Sequence, residues 1–302
     1  MLTRLAAPLT TFVSIGAIVV VTLALGFHDH VGSEDGDTFN VAWTAWKLAG
    51  ALAITGFIAA LLIGVRILSE AAPWGLSRVV GKRSLFAGIA VATVLVLTVL
   101  KAIGYTFEPT SPVYEIGART NAILFVGLAA SAPWLVLVWL GMDASRGLDA
   151  KELARSPRDG LERLLQLWRL LIASAGMFSI GVVAALLTSG ALRNAMLAYN
   201  PERDDFPISS PLLYGAVFAV ALTVLTLPFA WAWRSRARGF VDELFPLPDD
   251  GHITEDWVAD RERLEKLLRI DAGILRSPLT ALNVFTPLVT SLLAAFLPQL
   301  GG

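Results

Sequence analysis

Cysteine is absent from this chain, which removes disulfides, thiolate metal sites and cysteine nucleophiles from consideration. Histidine is scarce, with three in 302 residues, and charged residues make up only 16%. No Asp, Glu or His stands at the centre of any long apolar run, so the titratable relay that proton-coupled transport needs is missing. The motifs G-x-S-x-G, H-E-x-x-H and the Walker glycine loop are absent too. An intramembrane enzyme needs a positioned acid, base or metal. The sequence supplies no such set, so a non-enzymatic role without cofactor is expected.

What the chain has instead is apolar length. Hydrophobic residues make up 55% and mean hydropathy is +0.65, well above ordinary soluble domains. A bilayer core of roughly 30 Å needs about 20 apolar residues in a helix. The runs near 5–27, 41–68, 85–104, 120–140, 167–192 and 211–233 all qualify. A soluble fold would have to bury all six around one centre, and the short loops argue against that. The expected fold is an all-α, polytopic membrane helix bundle with six transmembrane helices and a seventh C-terminal helix that spans or is re-entrant. Its expected divisions are a bundle over 1–238 with a cytoplasmic helical insert at about 142–166, a cytoplasmic amphipathic segment at 239–276, and a hydrophobic helix at 277–302.

Lys and Arg alternate between the loops, and short loops rich in them stay cytoplasmic. The loop from His28 to Asn40 has Asp29, Glu34, Asp35 and Asp37 but no basic residue, whereas the next holds Arg66, Arg78, Lys82 and Arg83. The third has only Lys101 and Arg119, while the fourth has Arg146, Lys151, Arg155, Arg158, Arg163 and Arg169. Arg193 and Arg203 in the fifth stand beside acidic residues, and Arg234, Arg236 and Arg238 follow the sixth run. This pattern predicts a cytoplasmic N-terminus in a plasma membrane. Abundant alanine, with arginine well ahead of lysine, fits a GC-rich bacterial genome and hence a bacterial inner membrane. Ala24-Leu25-Gly26 has the small-x-small form of a cleavage site, but the first run exceeds a signal-peptide core, so a retained helix is expected. Trp43 and Trp46 on the outer side, and Trp139, Trp168, Trp231 and Trp233 on the inner, fall where interfacial anchors belong.

Two amphipathic helices are predicted on the cytoplasmic side. Ser156-Pro157 reads as an N-cap with proline at the first helical position, and Leu161, Leu164, Leu165 and Trp168 share a face running on into the fifth span. The second starts near Thr254 and is expected to stop near Gly273, with Glu255 and Asp256 in its first turn. Trp257, Leu264, Leu267 and Leu268 form its apolar stripe, and Glu262–Lys266 and Glu265–Arg269 are its expected ion pairs. That stripe is the candidate surface for a cytoplasmic protein partner or another copy of the chain. Arg155, Arg158, Arg234, Arg236 and Arg238 are candidate contacts to anionic lipid, and nothing in the charge pattern points to nucleic acid.

The last apolar segment, 279–297, carries Thr280, Asn283, Pro287, Thr290 and Ser291 at steps of three and four. A helix would align them in one polar stripe. An interfacial helix would place Lys or Arg there, whereas bundle helices use Ser, Thr and Asn to pack. A spanning helix with Thr280, Asn283, Thr290 and Ser291 facing protein or water is therefore favoured over a re-entrant one. The only cluster of metal-ligand types is His28, His30, Asp35 and Asp37, which lacks a fixed third ligand and reads better as a solvated acidic loop.

Three functions follow. The first is a membrane scaffold or regulatory component that associates through its cytoplasmic helices. The second is a passive oligomeric channel or facilitator lined by the C-terminal polar stripe. The third, least supported, is a membrane enzyme built on the His28 and His30 loop.

Overall fold

A computed structural model of the chain describes residues 36–70, 116–199, 208–248, 253–270 and 277–296. Apart from short connections and caps these residues are helical, with no strand among them. The helices are α1 (Gly36–Glu70), α2 (Ile116–Gly147), α3 (Ala150–Arg155), α4 (Pro157–Tyr199), α5 (Ser209–Leu244), α6 (Glu255–Leu268) and α7 (Pro278–Phe296). Five of them, α1, α2, α4, α5 and α7, are long and apolar enough to cross a membrane. The apolar runs at 5–27 and 85–104 lie outside the described residues, as do His28, His30 and Asp35; Asp37 falls in the first turn of α1.

Side-chain contacts fix the direction of each helix. Gly50 abuts Ile123, Gly127 abuts Phe57, and the Trp134 indole N–H donates to the Ala60 carbonyl at 2.8 Å. Numbers rise together along both helices, so α1 and α2 run parallel. By the same test α5 runs with α2, since Phe229 meets Gly141 and Arg236 reaches Arg146. The opposite direction belongs to α4, whose Leu192 and Ala195 pack on Trp43 and Trp46 while Gly181 meets Phe57. Helix α7 runs with α4, because Ser179 contacts Leu282 and Gly190 contacts Ala294.

One large core joins α2, α4 and α5 through Leu137, Leu164, Leu171, Phe229, Trp233 and Phe240. At 43 residues, α4 is about 65 Å long, twice the thickness of a bilayer core, so it projects well beyond any membrane it crosses. The insert expected at about 142–166 is the end of α2, all of α3 and the start of α4, which continues unbroken into the apolar run as its shared face suggests. Likewise α5 runs through residue 239 without interruption. Ser156 and Pro157 start α4 as the sequence suggests, the Ser156 carbonyl accepting from the Gly160 N–H at 2.9 Å.

Several expectations need correction. Trp43 and Trp46 are not interfacial anchors: they are 1% and 2% exposed and stack on each other at 4.5 Å against α4. Trp231, at 73% exposure, does present itself outward. Arg193 lies in α4 rather than in a loop, and it is buried.

Candidate functional site

The polar architecture concentrates at the end of the bundle where α2 and α5 finish and α4 begins. A helix leaves its last carbonyls without main-chain partners, and cations near that end are favoured. Two arginines of α5 exploit this. Arg236 donates to the Arg146 carbonyl in the last turn of α2 at 2.9 Å, and Arg234 donates to the Ile270 carbonyl just beyond α6 at 2.7 Å. Both guanidinium groups thus bind a backbone carbonyl. Arg155, Arg158 and Arg238 are exposed at the same end.

Helix α6 lies against this end. Thr254 caps it, its hydroxyl accepting from the Trp257 N–H, and Glu255 and Asp256 occupy the favourable first turn. It stops at Leu268, short of Gly273, because Arg269 takes a left-handed conformation (φ 56°) and the N–H groups of Arg269 and Ile270 turn back to Lys266 and Glu265. That early stop removes Arg269 from the helical register, so the expected Glu265–Arg269 pair does not form. Glu265 pairs with Arg261 instead, at 3.0 Å, while Glu262–Lys266 forms at 3.1 Å.

Of the apolar stripe, Leu268 is buried in the main core, Trp257 and Leu264 are half-buried against the bundle, and Leu267 is exposed. The inward face is therefore Trp257, Arg261, Leu264, Glu265 and Leu268, centred on a cation the sequence did not single out. Arg261 bonds Asp242 of α5 at 2.7 Å and lies 5.5 Å from the centre of the Trp257 ring, which meets Phe245 edge-on. Partial burial opposes its charge, but the hydrogen bonds and attraction of Asp242 and Glu265 prevail and hold its pKa above the ordinary arginine value.

A second polar feature runs along α7. Thr290, Ser291 and Asn283 are buried and Thr280 is half-buried, and Asn283 and Ser291 meet Thr226 and Gly215 of α5. Asn283 donates to the Thr226 hydroxyl at 2.6 Å, which donates in turn to the Leu222 carbonyl at 2.9 Å. Around Asn283 the helix widens into a π turn, Ala281–Phe285, in which the Thr286 N–H reaches back to Ala281. In that register the Leu282 carbonyl would pair with residue 287, but Pro287 has no N–H. The Ser179 hydroxyl of α4 stands in donor range of that carbonyl at 2.7 Å, shared with the Ala175 carbonyl of its own helix at 2.8 Å. Close approach is secured by Gly215 and Gly190: a Cβ on the first would overlap Ser291, and on the second would lie 2.8 Å from the Ala294 carbonyl.

Together these features are those of a multi-pass membrane protein, helical throughout its described spans, with an ordered polar layer at one end. No protein-family model, curated protein or solved structure matches it.

Proposed function

We propose that this protein is a non-catalytic, multi-pass component of a bacterial inner membrane, N-terminus cytoplasmic, that associates with a protein partner or with its own copies through the cytoplasmic layer around α6. The observation that carries this reading is α6 itself: a charged amphipathic helix, too polar to enter lipid, held in place at the arginine-rich end of an apolar bundle. Excess arginine at that end supports the cytoplasmic assignment, and Arg155, Arg158 and Arg238 are the side chains available to anionic lipid. A pore lined by Thr280, Asn283, Thr290 and Ser291 would need those groups on an outer face of the protomer. The burial of Asn283, Thr290 and Ser291 supports packing instead.

Helix direction also supports a larger number of spans. Three helices, α1, α2 and α5, descend towards the arginine-rich end, and only α4 and α7 rise among the described residues. Since α1 and α2 are parallel, Glu70 and Ile116 lie at opposite ends of the bundle, an arrangement that supports one further crossing between them. The run at 85–104 is the apolar length available for that crossing, and the run at 5–27 would bring the total to seven.

Deleting residues 252–270 tests the association: the oligomeric state in lipid nanodiscs, or the set of co-purifying proteins, is expected to change. No change in either overturns it. The extra crossing is tested separately, because a chain without cysteine gives no background to thiol labelling. An impermeant maleimide should label Thr110→Cys in intact cells and Arg83→Cys only after permeabilisation. Equal labelling of both excludes the crossing.

A further inference from the structure

Helix α6 is fastened at two points of different character. Near its C-terminus the grip is apolar and buried: Leu268 enters the core and Arg234 binds the Ile270 carbonyl. Near its middle the grip is ionic and partly open to solvent. Arg261 reaches the Asp242 carboxylate at 2.7 Å and the Phe245 carbonyl at 3.4 Å, with Trp257 edge-on to the Phe245 ring. The Arg261 and Asp242 side chains are 28% and 62% exposed, so this half of the contact is open to salt and to competing carboxylates. A 14-residue helix has little stability by itself in water, so weakening that grip also loosens the helix.

We propose that α6 is a releasable latch, in which Arg261 holds Trp257 and Leu264 against the end of α5 and surrenders them to a partner that offers the same chemistry as Asp242 to Phe245. The proposal rests on the association reading above and adds how that association is controlled. The partner it fits is an acidic amphipathic segment with a carboxylate three residues before an aromatic ring. The chain's own 239–248 sequence has that form, so the occupant is that segment of another copy of the protein. While the latch is closed, the stripe read from the sequence as a docking surface is occupied from within, and only Leu267 stays exposed.

Hydrogen exchange of α6 in the full-length protein in nanodiscs tests this. Arg261→Gln should speed exchange across 255–268 about tenfold and leave α4 unchanged, with Arg261→Lys in between. A synthetic peptide of residues 239–248 should speed exchange in the native protein, and its Asp242→Asn form should not. Unchanged exchange in Arg261→Gln overturns the latch. Faster exchange in that variant without any gain in association leaves the latch standing and overturns the association reading. A peptide without effect, in a protein whose Arg261→Gln variant does open, overturns the proposed partner chemistry.

Discussion

Helices α6 and α7 follow one another in the chain and are opposite in composition. In α6 a few apolar residues interrupt a charged helix; in α7 a few polar residues interrupt an apolar one. Both turn the minority inward. Leu268 of α6 is as deeply buried as Ser291 of α7, at 1% exposure each. The same rule, that each side chain is sorted by the solvent its helix meets, gives opposite outcomes in water and in lipid. A leucine stripe is buried in one to escape water. An Asn, Thr and Ser stripe is buried in the other because hydrocarbon cannot hydrogen-bond it.

The comparison is most easily broken at α6. Leu267 and Leu268 are adjacent and chemically identical, yet one is 52% exposed and the other sits in the core. Truncating Leu268 to Ala should cost about 2 to 5 kcal/mol through lost burial and a residual cavity. Leu267→Ala should stay within about 0.5 kcal/mol. Denaturant unfolding in micelles measures both. Equal effects would mean that α6 is not seated on the bundle in this register.

Periodicity carried much of this architecture. The apolar runs located each described span, although α4 starts ten residues before its run and α5 ends eleven after its own; the Thr254 and Ser156-Pro157 starts are where helices begin, and the stripes of α6 and α7 can be read by counting threes and fours. What periodicity could not carry was the identity of each neighbour. Trp43 and Trp46 sit where interfacial anchors usually sit, and only the position of α4 puts them inside. Arg234 and Arg236 look like lipid contacts until the ends of α2 and α6 are brought beside them. Arg261 does not stand out in the sequence because Glu265–Arg269 is the better-ordered pair along an ideal helix, and nothing local announces that Arg269 leaves the helix with a positive φ. The parallel course of α1 and α2 likewise needed contacts between residues far apart in sequence.

At α7 the comparison sharpens to a single hydrogen bond. Asn283 and Thr226 are both buried, but their losses are not equivalent. Replacing Thr226 by Val leaves the Asn283 amide in an apolar setting with neither its N–H nor its carbonyl paired to this helix, a cost of about 1 to 3 kcal/mol. Replacing Asn283 by Leu removes that amide altogether, including an Oδ1 that has no partner among the described residues, while Thr226 keeps its bond to the Leu222 carbonyl. This change should cost less than Thr226→Val, because shape is roughly kept and no new polar group is stranded. The double variant should then recover most of what Thr226→Val loses, a coupling read directly from a double-mutant cycle on SDS unfolding. If the two losses simply add, the contact across α5 and α7 does not exist in lipid. The stripe would then be free to face water, as the channel reading requires.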